Sequence, residues 1–320
     1  MTTPNVGQLV ASTLRARKKE VADTVTNHNA ILMRMSETGA IKEVLQGGRT
    51  ILEPLIHGSN GSVQFYDGYE SFTPPTTQDV IDGAEFSWKQ LGGFVAISGQ
   101  EMVQNSGKHA ALDLLDTRVK HLKAQLKNTF AASLFSAGTG SGGKEFGGLQ
   151  AAVTDAPSSA GTYCGIDQVA NPFWRNQVST SAVFNAANAL SRMNTLYLQC
   201  IRGIDKPDLI VADAEMFSQY EVTQQQLQRF TNEKLANQGF VNYKYKNADL
   251  VYDDNCPTRR MYMLATSALS FRYAPNRWFE VGDSRTVTNA DYEVVPIWTM
   301  GNLTTCNRAL HGVLISSGIA

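Results

Sequence analysis

Long apolar runs are missing from this sequence: none approaches the roughly 18 residues needed to span a bilayer, and Met1–Arg17 lacks the apolar core of a secretory signal. A soluble protein made in the cytoplasm is therefore expected, with no membrane partner. Cysteine is sparse. The four present, Cys164, Cys200, Cys256 and Cys306, stand far apart with no CxxC pair, which excludes common zinc spacings and a small disulfide scaffold and predicts free thiols. Neither sign of charge is in excess: 28 Lys plus Arg against 29 Asp plus Glu give a net charge of -1, so nothing global calls for a nucleic-acid or anionic-membrane ligand. Catalytic signatures are absent as well. His28, His57, His109, His121 and His311 form no HExxH or other metal-ligand spacing, there is no GxSxG, and the adjacent Asp253 and Asp254 define no acid/base pair without a cleft. No enzyme, cofactor or metal is predicted.

What is present is a globular chain of 320 residues, 42% hydrophobic and 18% charged, large enough for one big domain or two interwoven ones. Val6, Leu9, Val10, Leu14, Val21 and Val25 recur at helical intervals beside Arg15, Arg17, Lys18 and Lys19, which predicts an amphipathic N-terminal helix. A second apolar patch, Ile31–Met35, ends at Gly39. Ile51, Leu52, Leu55 and Ile56 read as a short strand, and Ala84–Ile97 as its return. The long intervening stretch carries Phe65, Tyr66, Tyr69, Phe72 and Pro74-Pro75. A strand, a long excursion and a strand describe an extended hairpin; long loops of this kind are usually functional, and aromatics on a projection favour a protein partner, with Trp88 on the returning strand. The alternative is an ordinary surface loop folded on its own domain.

Ala110–Ala137 gives the clearest helix, with Leu112, Leu115, Val119, Leu122, Leu126 and Phe130 spaced by three and four over about 40 Å. Arg118, Lys120, Lys123 and Lys127 lie on its opposite face, which is a solvated helix face or a weak, non-specific DNA contact. After glycine-rich 138–148 the chain alternates helices (Ser181–Leu198, Ala214–Asn232) with strands (Asp208–Val211, Leu250–Tyr252, Met261–Leu264, Trp278–Val281), and Tyr292–Ile315 has strand composition with breaks at Pro296 and Gly301. This order predicts an α+β chain, not a regular βαβ array. Gly138, Gly140 and Gly143 satisfy GxGxxG, and with Lys144 nearly satisfy a Walker A loop. A helix precedes them where a strand is required, and Glu145 stands where a hydroxyl would hold magnesium, so the segment reads as a flexible hinge, with a nucleotide-binding enzyme as the remote alternative.

The order of segments resembles tailed-phage major capsid proteins of the Hong Kong 97-type fold, over nearly the whole chain. Stretches that carry the resemblance are Gln46-Gly-Gly-Arg-Thr-Ile-Leu-Glu-Pro-Leu-Ile56, Ala84-Glu-Phe-Ser-Trp-Lys89, Phe146-Gly-Gly-Leu149, Asn171-Pro-Phe-Trp-Arg175 and Pro207-Asp-Leu-Ile-Val211. The resemblance implies an N-terminal arm (1–48), an extended hairpin loop (49–97) reaching over a neighbouring subunit, a peripheral domain with a spine helix (98–150 and 285–320), and a mixed α/β axial domain (151–284). It further implies a structural subunit assembling through pentamers and hexamers into an icosahedral shell around double-stranded DNA, in a virion built in the bacterial cytoplasm. Portal and decoration proteins are implied partners; because the arm starts almost at Met1, the scaffold is expected to be a separate protein. Phe65, Tyr66, Tyr69, Phe72 and Trp88 become intersubunit candidates. An encapsulin-type compartment enclosing enzyme cargo is the alternative with the same fold.

Overall fold

The computed structural model describes residues 29–44, 48–58, 63, 65–71, 80–104, 110–224 and 242–318. The expected amphipathic segment at 6–25, Phe72 and the end of the predicted 214–232 helix lie outside the described residues. In chain order the regular elements are α1 (Ala30–Glu37), β1 (Ile41–Glu43), β2 (Thr50–Ile56), β3 (Ile81–Ser87), β4 (Lys89–Ser98), α2 (Gly99–Gln104), α3 (Ala110–Leu134), β5 (Thr162–Tyr163), β6 (Ile166–Asp167), β7 (Gln177–Ser181), α4 (Ala186–Cys200), β8 (Leu209–Ala212), α5 (Ala214–Gln224), β9 (Asn242–Tyr245), β10 (Ala248–Tyr252), β11 (Arg260–Leu264), β12 (Leu269–Tyr273), β13 (Glu280–Val281), β14 (Arg285–Thr286), β15 (Tyr292–Thr305) and β16 (Gly312–Ser316). The result is the expected α+β class.

The first sheet is organised around β15. Along one side it pairs antiparallel with the whole of β4, from Tyr292 opposite Ser98 to Gly301 opposite Lys89; along the other it meets β14, β13 and β12 in turn, and β1 adds in parallel to β12. The expected breaks at Pro296 and Gly301 do not occur. Pro296 has no N–H to give, but its carbonyl accepts from the Gly282 N–H, and the missing donor falls between the short strands β13 and β14. Gly301 is there for space: a Cβ would sit 2.5 Å from the Arg272 carbonyl and 2.7 Å from the Phe271 ring. The second sheet runs β7-β16-β11-β8-β10-β9, with β8 parallel to β10 and β16 parallel to β7. Its centre, Leu209–Ala212, is buried at every position, as a strand covered on both faces must be.

Both sheets share one core. Phe130 on α3 stands at its centre, edge-on to Phe146, Phe271 and Phe279 at 5.3–5.5 Å, and the same cluster continues through Leu209, Val211, Tyr262 and Val313 of the second sheet. This continuity moves the expected boundaries. β16, assigned with 285–320 to the peripheral part, lies in the second sheet, while β12 and β13, assigned to 151–284, lie in the first. Residues 29–43 of the expected arm belong to the body: Ala30, Ile31, Leu32, Met33 and Met35 are buried, Asn29 caps α1 by accepting from the Ile31 and Leu32 N–H groups, and its amide donates to Asp253 at 3.1 Å. The hairpin of 49–97 also divides. Only β3 returns along β2, and β4 leaves it for β15.

A single turn at Arg308–Leu310 carries the chain from β15 to β16, flanked by the fully buried His311. The Ala265 N–H donates to His311 Nδ1 at 3.3 Å, so Nε2 holds the proton facing Thr305 Oγ1 at 3.1 Å. Burial, then the nearby Arg308 charge, pushes the imidazole pKa down to about 3 from an ordinary 6.5. A folded pKa below the unfolded one means that His311 contributes its full stability above about 6.5 and loses it progressively as pH falls toward 3. Asp213 and Asp253 act in the opposite sense, since burial raises both; their contribution is full below the unfolded carboxylate value and is lost as pH rises through the folded one. Comparing the wild type with His311→Gln isolates the histidine: the stability lost between pH 7 and pH 5 in urea titrations is expected to be about 2 kcal/mol smaller in the variant. An equal loss in both would mean that the ring is not held neutral.

Candidate assembly surface

Strands β2 and β3 pair only with each other, from Thr50 opposite Ser87 to Ile56 opposite Ile81. A two-stranded ribbon is marginal by itself, and this one is seated on the body by its inner face: Ile51, Leu55, Ala84 and Phe86 are buried against Ile166 and Trp174. Polar anchors fix the base. Arg272 donates from Nε and Nη2 to the Glu53 carboxylate at 2.7 and 2.9 Å, and Thr304 Oγ1 donates to the same group at 2.9 Å. The Glu85 N–H donates to the Cys164 carbonyl at 2.9 Å, and the His57 ring stacks on Phe173 at 4.2 Å.

The opposite face of the ribbon carries exposed apolar side chains beside Glu85. Leu52, Ile56 and Ile81 are 60%, 82% and 68% exposed. The chain beyond the strands presents Val63, Phe65, Tyr66 and Tyr69, with Phe65 and Tyr69 exposed over their whole surface. Large apolar side chains open to solvent make this face a candidate interaction site. The structure thus leaves Phe65, Tyr66 and Tyr69 exposed beyond β2, whereas Trp88 is not. That indole is half-buried at the joint between β3 and β4, beside the base cluster, and its N–H donates to the Gly48 carbonyl at 2.9 Å. Leu52, Ile56 and Ile81 were missed as site residues. For Leu52 and Ile56 the sequence holds a faint signal: TILEPLI carries apolar residues on both faces of a period-two strand.

The basic face of α3 is smaller than its sequence suggested. Arg118 is engaged within the chain, donating from Nη1 to the Glu101 carboxylate at 3.0 Å and to the Ala96 carbonyl at 2.8 Å. That hydrogen bond from Arg118, with one from the Ser98 N–H, holds the Glu101 pKa down to about 2. Lys120 is exposed, whereas Lys123 and Lys127 are half-buried, and burial lowers the Lys127 pKa.

The glycine segment is seated at its ends, while Gly142 and Gly143 face open space. Phe146 enters the core, the Lys89 ammonium donates to the Gly143 carbonyl, and a Cβ at Gly148 would lie 2.5 Å from the Ser133 and Leu134 carbonyls. Ser136 Oγ donates to Glu145 Oε2 at 3.0 Å beside a cleft of about 320 Å³. A helix leads into the segment and a single turn, Leu149–Ala152, follows it, which is not the strand-to-helix cradle that phosphate needs.

Other chemistry is also occupied. Among the described residues no group of three or more His, Cys, Asp or Glu side chains could hold a metal ion. Asp213 and Asp253 stand at the carboxyl ends of the adjacent parallel strands β8 and β10, but their oxygens accept from protein donors, Met216 and Arg259 N–H for the first and Asn29 and Asn255 for the second. All four cysteines are free, and burial raises the thiol pKa of Cys164 and Cys200 to about 12 and that of Cys256 further.

No family model and no curated protein matches the chain. Solved structures do. The chain is similar to the subunit of the cyanophage A-1(L) capsid at 19% identity, covering 88% of this chain and 91% of that one with a TM-score of 0.67. It is similar to the capsid of Myoviridae phage XM1 at 11% identity, 88% and 90% coverage and a TM-score of 0.55. The SrpI encapsulin of Synechococcus elongatus PCC 7942 follows at 9% identity, 88% and 86% coverage and a TM-score of 0.51. The chain therefore has the fold of these capsid and encapsulin subunits. Within that class it is the Hong Kong 97-type α+β fold.

Proposed function

We propose that the chain is the major capsid protein of a tailed bacteriophage, a non-catalytic subunit that assembles through pentamers and hexamers into a shell enclosing double-stranded DNA. The observation that carries this reading is the outer face of the hairpin, Leu52, Ile56 and Ile81 with Phe65, Tyr66 and Tyr69, which a single copy leaves uncovered in a fold shared with shell subunits. A neighbouring copy covers it. Assembly proceeds in the bacterial cytoplasm with a scaffolding protein, and the finished shell carries a portal and, where present, decoration proteins. The similarity to an encapsulin supports a second reading, a compartment for enzyme cargo; the higher TM-score to the cyanophage capsid favours the first.

Sedimentation velocity of the expressed full chain, alone and with its scaffold, tests the proposal: pentamers, hexamers or closed particles are expected, and a monomer under every condition contradicts it. The DNA contact is proposed to be weak and without sequence preference, made by Lys120, Lys123 and Lys127. Changing these three to Gln is expected to spare assembly and at most to lower packaged DNA. Arg118→Gln, in contrast, is expected to loosen the β4–α2–α3 corner, because it removes the Glu101 and Ala96 bonds. Unchanged stability in Arg118→Gln would return that residue to the DNA-facing set.

A further inference from the structure

Arg308 is an unusual residue to find without any exposure, because no carboxylate among the described residues pairs with it. Its guanidinium instead donates to three oxygens on two stretches of chain: Nε to the Ala152 carbonyl at 2.7 Å, Nη1 to the Trp174 carbonyl at 2.9 Å, and Nη2 to Asn176 Oδ1 at 3.2 Å. It lies over the Tyr163 ring at 4.5 Å and the Trp174 ring at 5.7 Å, and those two rings stack on each other 6.3 Å apart. Burying a guanidinium without an anion costs free energy that an apolar side chain of the same volume would not. Burial lowers its pKa to about 10, so it remains a cation at neutral pH. What the planar fork supplies, and an apolar chain cannot, is orientation: it holds 152, 174 and 176 in register and presses on two ring faces at once.

Those rings are the seat of the hairpin. Trp174 is buried against Ile51, Leu55, Ala84 and Phe86, its indole N–H donates to the Tyr163 carbonyl at 3.2 Å, and Tyr163 meets Phe86 edge-on at 6.0 Å. The next residue, Cys164, takes the Glu85 N–H. No ladder joins β2 or β3 to either large sheet, so the direction of the ribbon is set by what lies beneath it. We infer that Arg308 is a positioning residue for assembly: it fixes the Tyr163–Trp174 platform and thereby aims the hairpin before any neighbouring copy arrives. This rests on the hairpin being the assembly surface.

Hydrogen exchange of the unassembled full-length chain tests the inference. Arg308→Met keeps the volume and removes the fork; Arg308→Lys keeps the charge and is the milder change should the first fail to fold. Either is expected to accelerate exchange at Glu85 and along β2–β3 by about tenfold while β8 and β11 keep wild-type protection. Tyr163→Ala should reproduce the effect and Tyr163→Phe, which retains the ring, should not. Unchanged hairpin exchange in the Arg308 variants overturns the inference, as does equal acceleration across both large sheets, which would make Arg308 a general core residue. Loosened hairpins that still assemble with wild-type yield would leave the positioning role standing and remove the hairpin from the assembly reading.

Discussion

Deleting residues 60–79 and closing the gap with a short glycine turn is expected to leave a folded, monomeric chain that no longer forms particles. The β2–β3 ladder ends at Ile56 opposite Ile81, so the cut spares every registered pair. It also spares the inner-face residues Ile51, Leu55, Ala84 and Phe86, the Glu53–Arg272–Thr304 anchor and the Glu85–Cys164 bond. Among the described residues that it removes, Phe65, Tyr66 and Tyr69 are exposed. The melting midpoint should therefore stay within about 3 °C of the wild type, while sedimentation shows the loss of all assembled species. Normal assembly of the shortened chain would mean that the projection is not what holds copies together, and unfolding would mean that it packs on its own subunit.

Phe130→Ala is expected to have the largest effect on stability. The ring has no exposure and meets Phe146, Phe271, Trp278 and Phe279 within 6 Å. Truncating a phenylalanine in such a place costs about 3–5 kcal/mol, from lost transfer free energy and from the cavity left between rings that cannot close in. The loss should appear as a lower urea midpoint at unchanged slope. Because Phe146 belongs to the same cluster, the glycine segment should lose protection together with α3. A cost below about 1 kcal/mol would show that α3 docks through other contacts.

Much of this architecture was readable from local pattern. The three-and-four spacing of Val119, Leu122, Leu126 and Phe130 marks α3, and the unbroken Leu209-Ile-Val-Ala212 marks a doubly covered strand, because those periodicities follow from which faces are buried. Features set by distant partners were not readable. Pro296 and Gly301 look like breaks, yet β15 runs through both: Pro296 needs no donor where β13 and β14 leave a gap, and Gly301 admits the Phe271 ring. The start of α4 was placed too early because Ser181 closes β7 and the capping pair Asn185 and Asn188 sets the true N-terminus. At the candidate site, the aromatics of the projection were visible as composition on a long loop. The second apolar face of β2 was hidden by the first, since an alternating strand and a two-faced strand differ only in residues such as Leu52 and Ile56. Arg118 looked like part of a basic stripe because its partner Glu101 lies on another element.

The most direct test of the central claim is a cryo-electron microscopy map of the particles formed by the full chain at a resolution that shows side chains. The account predicts closed icosahedral shells in which Leu52, Ile56 and Ile81 of each hairpin, with Phe65, Tyr66 and Tyr69, lie against an adjacent copy. Shells in which this face is open to solvent, or a chain that stays monomeric with its scaffold present, would contradict it.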